Sequence, residues 1–169
     1  MTQDEVYNYT VKAVNLSYGC SSDELSGSIS VLNKHDLQLL SGSNSINQSL
    51  CEGQPLPLDI IYEFGGGANN ARVLGLPAGI GWTPNGNLIT ISGTASENIS
   101  VKTEYEFTVE SLGNKCSIPP FTGKITINPD SEISLTTSLS TSNQFICEGE
   151  SIDQIAYSFG GGTVDAVVS

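Results

Sequence analysis

Charge is what this sequence has least of. Asp, Glu, Lys and Arg make up 14% of its 169 residues, where an ordinary domain carries about 25%. Polarity comes instead from hydroxyls, amides and backbone, with 23 Ser, 13 Thr, 18 Gly and 7 Pro. Basic residues are the scarcest of the charged ones, 6 against 18 acidic, for a net charge of −12. A phosphate backbone would be repelled, which excludes nucleic-acid binding, and an anionic membrane surface is disfavoured for the same reason. No apolar run approaches the roughly 18 residues that cross a bilayer, so membrane insertion is not expected. The start, Met1-Thr2-Gln3-Asp4-Glu5, lacks the basic and apolar regions of a signal peptide. If the parent protein is secreted, the chain is then an interior piece of it. Few Lys and Arg with abundant Ser, Thr, Asn and Gly suit an extracellular or cell-surface location.

What the chain does have is internal repetition. Leu50-Cys51-Glu52-Gly53 returns as Ile146-Cys147-Glu148-Gly149, an offset of 96. Tyr62-Glu63-Phe64-Gly65-Gly66-Gly67 returns as Tyr157-Ser158-Phe159-Gly160-Gly161-Gly162, an offset of 95. Tyr7-Asn8-Tyr9-Thr10-Val11 precedes Tyr105-Glu106-Phe107-Thr108-Val109 by 98. Cys20 and Cys116, and Gly27-Ser28-Ile29 and Gly123-Lys124-Ile125, are again 96 apart. Chance does not produce five collinear matches. Residues 1–35 are therefore expected to be the C-terminal part of a preceding repeat, 36–129 a complete repeat, and 130–169 the N-terminal part of a following one. The boundary segments Leu32-Asn33-Lys34-His35-Asp36 and Asn128-Pro129-Asp130-Ser131-Glu132 are short and polar, and read as tight junctions. The two partial copies cannot cover their own apolar faces. They are complementary to each other, so pairing between molecules is expected.

Within the full copy the hydrophobic period is two. Leu58, Ile60 and Tyr62 share one face, opposite Asp59, Ile61 and Glu63, and the Gly65-Gly66-Gly67 turn follows. Ala71-Arg72-Val73-Leu74 comes next, then Gly75-Leu76-Pro77-Ala78-Gly79. Asn85-Gly86-Asn87 is a turn signal feeding Leu88-Ile89-Thr90-Ile91-Ser92. Tyr105, Phe107 and Val109 alternate with Glu104, Glu106, Thr108 and Glu110, and Ile125 and Ile127 share a face of the closing strand. No stretch carries an apolar stripe at helical spacing. About seven antiparallel strands in roughly 95 residues, with frequent turns, predict an all-β, immunoglobulin-like β-sandwich repeated in tandem.

The order of Tyr62 to Phe64 with Gly65-Gly66-Gly67-Ala68, Gly75-Leu76-Pro77-Ala78-Gly79-Ile80, Ile89-Thr90-Ile91-Ser92-Gly93-Thr94 and Tyr105-Glu106-Phe107-Thr108-Val109 resembles a known repeat type. It is similar to the immunoglobulin-like repeats of very large Bacteroidetes surface proteins. These include SprB-type gliding-motility adhesins and other cargo of the type IX secretion system, within the wider putative-Ig family. The resemblance covers residues 36–129 fully and both flanks in part. It implies an extracellular spacer or adhesin module without catalytic residues. The chain departs from the pattern at Ala95, where that family's turn usually has Pro, and by an insertion over residues 96–103.

Chemistry is hard to assemble from these residues. Nucleophilic catalysis of the Ser-His-acid kind needs a base, and the only His is His35, expected to be a solvated junction residue beside Asp36. Zinc needs clustered Cys and His, but the four Cys are spaced 31, 65 and 31 apart with no CxxC. Calcium needs a run of convergent oxygens such as Asp-x-Asp-x-Asp, and none occurs. Glu104, Glu106 and Glu110 read as the solvent side of a strand, and Gly65-Gly66-Gly67 lacks the Lys and helix of a phosphate loop. No catalytic residue, metal or cofactor is expected.

The expected function is that of a non-catalytic spacer and adhesion module. Its partners would be neighbouring repeats of the same polypeptide, with surface polysaccharide or other cell-surface proteins as further candidates. The alternative is a carbohydrate-binding module in which Trp82, the only Trp, stacks on a sugar beside Asn85 and Asn87. A buried Trp82 ring favours the spacer, and a ring flat in solvent favours sugar. Sequons at Asn8, Asn15, Asn47 and Asn98 read as chance in a chain this rich in Asn, Ser and Thr. The cysteines suit an oxidising compartment. Cys51–Cys116 is the base-rate pair, although the strand directions of an immunoglobulin sandwich would put those two sulfurs at opposite ends; an inter-repeat bond from Cys51 to the next repeat's counterpart of Cys116 stands close to it, and Cys20–Cys51 with Cys116–Cys147 comes third.

Overall fold

Alternating apolar and polar side chains in the repeat unit make half-buried strands, and the computed structural model, which describes residues 4–169, is built from them throughout. Residues 1–3, part of the start read above as no signal peptide, lie outside the described range. In chain order the strands are β1 (Glu5–Val11), β2 (Val14–Asn15), β3 (Cys20–Ser21), β4 (Leu25–Val31), β5 (His35–Leu39), β6 (Asn47–Cys51) and β7 (Ile60–Gly66). They continue with β8 (Ala68–Leu74), β9 (Ile80–Asn85), β10 (Leu88–Gly93), β11 (Thr103–Gly113), β12 (Phe121–Asn128), β13 (Ser131–Leu135) and β14 (Tyr157–Gly161). The described residues contain no α-helix, only short 3-10 turns at Ser43–Ser45 and Leu139–Ser142.

Strands β5 to β12 form a β-sandwich of two four-stranded sheets, ordered β5-β7-β10-β9 and β6-β12-β11-β8. All pairings are antiparallel except that of β6 with β12, which is parallel. Ile60, Tyr62, Ile89 and Ile91 of the first sheet and Phe107, Val109, Ile125 and Ile127 of the second are fully buried between them. The all-β sandwich expected from period-two patterning is thus the architecture, with eight strands in the central unit. The turn at Gly86-Asn87 joins β9 to β10, with Asn85 opposite Leu88. The period-two reading assigns no strand over Ile80–Asn85, a segment that holds Gly81 and Pro84. β9 lies at a sheet edge, where proline is tolerated. Leu58, expected on the inward face with Ile60 and Tyr62, lies before β7 and is exposed. Its amide donates to Gln48 Oε1 and its carbonyl accepts from Gln48 Nε2, both at 2.8 Å.

Two hairpin sheets flank the sandwich, β1 with β4 and β13 with β14. Their registers reproduce pairs inside it. Tyr7 opposite Ile29 and Tyr9 opposite Gly27 correspond to Tyr105 opposite Ile125 and Phe107 opposite Gly123. Ile133 opposite Phe159 and Leu135 opposite Tyr157 correspond to Leu37 opposite Phe64 and Leu39 opposite Tyr62. In the first correspondence the glycine is where an aromatic ring lies down. A Cβ on Gly27 would run into the ring of Tyr9, and one on Gly123 into the ring of Phe107. The side-chain clasp made by Gln48 is rebuilt by Gln144, whose Nε2 donates to the carbonyls of Thr141 and Asp153 and whose Oε1 accepts from the Asp153 amide.

Tyr62 packs edge-on against Phe121, with ring centroids 5.9 Å apart, and its hydroxyl is buried without a hydrogen-bond partner. Burial pushes this phenol above its ordinary value of about 10. Because the folded value is the raised one, the stabilising contribution is complete below pH 10 and is lost as pH climbs from there through the folded value. Tyr62→Phe is therefore expected to match or exceed the parent in stability at neutral pH, within about 1 kcal/mol, since it removes an unsatisfied hydroxyl. It should also decline less steeply above pH 10. Urea unfolding at neutral and alkaline pH checks both, and a variant much weaker at neutral pH would mean that the hydroxyl is satisfied.

Candidate functional site

The Gly65-Gly66-Gly67 segment carries the chain from β7 in one sheet to β8 in the other, so it is a corner between sheets. That corner is pressed onto the segment that leads into β5. The Gly67 amide donates to the Lys34 carbonyl at 2.9 Å, and Asn114 Nδ2 donates to the Asn33 carbonyl at 2.8 Å. A Cβ on Gly66 would collide with the Lys34 carbonyl oxygen and one on Gly67 with that of Asn33. At the other end of the sandwich the Gly162 amide donates to the Asp130 carbonyl, also at 2.9 Å. A Cβ on Gly161 would collide with that same oxygen.

His35 does not sit in solvent as expected. It opens β5 and is 5% exposed, its amide donating to the Cys116 carbonyl at 3.0 Å. Its Nδ1 lies 3.0 Å from Ser111 Oγ, itself buried. Nothing local signals this, because Ser111 is 76 residues away in sequence. A Ser–His contact invites comparison with a nucleophile and base, but Nε2 has no partner, so no carboxylate orients the ring. With both side chains buried, the hydroxyl has no route to a substrate, and the pair is a packing element of the junction.

A shallow groove of about 450 Å³ lies beside the glycine corner, lined by Asp36, Glu63, Phe64, Gly65, Gly66, Ala68 and Asn87. Asn87 Nδ2 donates to Glu63 Oε1 at 2.7 Å, which ties up the amide a ligand would have to engage. Neither Trp82 nor Asn85 lines this groove. Trp82 pairs with Ile91 across β9 and β10, and is half-buried against the core at the sheet edge. Its side chain is partly buried, and it does not line the groove that Asn87 borders. The acidic side chains of β11 face outward: Glu110 pairs with Arg72 at 2.6 Å and Glu104 with Lys124 at 3.1 Å. Among the described residues no three His, Cys, Asp or Glu side chains converge as metal ligands.

All four cysteines, Cys20, Cys51, Cys116 and Cys147, are free thiols in the structure. Cys51 ends β6 opposite Asn128, whereas Cys116 lies beside His35 at the entry to β5. The 11 residues of β11 separate these two ends, roughly 33 Å at about 3.3 Å per residue. A disulfide needs Cα atoms within about 7 Å. Cys51 instead borders a groove of about 490 Å³ between the sandwich and the C-terminal hairpin, which Asn128, Pro129, Ser131, Gly161 and Gly162 also line.

No protein-family profile matches the chain, and no curated protein does. Two solved structures align along most of it. One is protocadherin gamma B2 extracellular cadherin domains 3–6, 14% identical with a TM-score of 0.42, covering 90% of this chain. The other is the protocadherin gamma B4 extracellular domain, also 14% identical with a TM-score of 0.42, covering 91%. The chain spans 39% and 26% of those two chains.

Proposed function

We propose that this chain is a stretch of a tandem array of immunoglobulin-like modules on the outside of a cell, acting as a spacer and adhesion module without catalysis. Residues 1–35 end one module, 36–129 form the next and 130–169 begin a third. The observation that carries this reading is the junction built twice. Gly67 on Lys34 and Gly162 on Asp130 make the same 2.9 Å bond, and Gly66 and Gly161 share a φ of 62°. A junction pinned by backbone bonds transmits orientation and force from one module to the next, as a spacer must. The buried Ser111–His35 pair and the outward carboxylates of β11 supply no reactive set, which supports a non-catalytic role.

The parent would be a large surface protein of the Bacteroidetes adhesin type, a reading supported by the Gly75-Leu76-Pro77-Ala78-Gly79 loop and its neighbours. In such an array each junction brings a Cys51-type thiol toward a Cys116-type thiol of the adjoining module. Non-reducing peptide mapping of the parent protein should find that inter-module bond. Amide relaxation tests the rigid junction directly. Residues of β4, the sandwich and β13 should report one common tumbling time, and independent tumbling of the flanks would overturn the spacer reading.

A further inference from the structure

Where the second junction leaves a groove, the first junction shows what fills it. At the first, the loop after β11 lies on the segment that leads into β5. Asn114 Nδ2 donates to the Asn33 carbonyl at 2.8 Å and the Asn114 amide to the Gly67 carbonyl at 3.3 Å. The Cys116 carbonyl accepts from the His35 amide at 3.0 Å. Moved along the chain by 95 or 96 residues, Asn33, His35, Gly66 and Gly67 become Pro129, Ser131, Gly161 and Gly162. Those four line the groove of about 490 Å³ at the second junction. Cys51 of the central module lines it too and is exposed. The loop that carries the next module's Cys116-type thiol therefore belongs in a groove that Cys51 borders.

We propose that the bond between these two thiols sets how far the array can stretch: oxidised, it shunts force past most of every module, and reduced, it lets each module unravel. The inference rests on the tandem-array reading above. Two thiols lose two protons and two electrons as the S–S bond forms, and a disulfide oxidant takes up the electrons and leaves as two thiols. Within a module Cys116 lies at the entry end and Cys51 at the exit end, so each bond crosses one junction. The cysteine spacings then decide the load path. From Cys116 the chain runs 31 residues, through β12 and β13, to Cys147, whose own bond carries force on to the module after. The 65 residues from Cys51 to Cys116 lie off that path in every module. Fully drawn out, the 31-residue path reaches about 110 Å at roughly 3.5 Å per residue. The two folded modules it bridges already span about 66 Å, taking each at the length of β11. A whole module, residues 36–129, would reach about 330 Å.

Single-molecule pulling tests this on the full chain lengthened at its C-terminus by a second copy of its own residues 75–129. The addition completes the third module and sets a Cys116 thiol opposite Cys51. With thiols reduced, two unfolding steps should together release about 600 Å of chain. After treatment with oxidised glutathione the release should fall at least tenfold, and dithiothreitol should restore it. Cys51→Ser should keep both steps under oxidising conditions, whereas Cys20→Ser should behave as the parent. Full release after oxidation would overturn the proposal, and so would its loss in Cys51→Ser. Peptide mapping of the oxidised parent protein reads the linkage without the added segment. There a bond from Cys51 to Cys116 of the same module, or to Cys20, or thiols left free would overturn it as well. One common tumbling time by amide relaxation together with full release after oxidation would defeat the shunt and leave the spacer reading standing.

Discussion

Replacing Phe107 with alanine is expected to lower the unfolding free energy by about 3–5 kcal/mol, the range for a large aromatic removed from a packed core. Its ring is fully buried among side chains of both sheets. It also lies across Gly123, its partner on β12, whose missing Cβ makes room for it. Loss of the ring would leave a cavity bounded partly by glycine backbone, with no side chain there to lean in, so the cost should fall in the upper part of that range. The outward neighbour Glu106 is exposed, and Glu106→Ala should change stability by no more than about 0.5 kcal/mol. Chemical denaturation of the two variants checks the pair. The opposite ranking would mean that β11 is shifted by one residue, which would turn every side chain to the wrong face.

Gly66→Ala should have the next largest effect, at least about 2 kcal/mol. The left-handed φ of 62° already costs a residue with a Cβ about 1–2 kcal/mol. The new Cβ would also meet the Lys34 carbonyl oxygen, backbone that cannot move without breaking its bond to the Gly67 amide. Gly65 next to it is the control. No atom lies within 4 Å of where its Cβ would stand and its φ is not left-handed, so Gly65→Ala should stay within about 0.5 kcal/mol of the parent. Gly161→Ala makes the same collision at Asp130, outside the sandwich. It should leave the main unfolding transition in place while opening residues 129–131 to protease. Equal stability of Gly66→Ala and Gly65→Ala would show that the corner does not press on the junction.

Some of this follows from order along the chain alone. A period of two in Tyr105, Phe107 and Val109 requires a strand with one buried face, because successive side chains leave a strand on opposite sides. The offsets of 95 to 98 are read from order alone as repeated units, and the strand pairs β1–β4 and β13–β14 have registers corresponding to those of β11–β12 and β5–β7. Gly86 next to Asn87 marks a hairpin turn because φ is positive there. These are local properties, in which a few adjacent residues carry the whole physical cause.

The tertiary structure decided what depends on residues far apart. His35 reads as solvated in a polar junction, yet Ser111 near the end of β11 and Cys116 just after it close over it. Gly65-Gly66-Gly67 reads as a turn, but the need for glycine at Gly66 comes from the Lys34 carbonyl in the segment between β4 and β5. The parallel pairing of β6 with β12 joins segments about 77 residues apart, and no local pattern specifies a partner at that distance. Each of these is a close approach between segments, fixed by packing after the strands have formed.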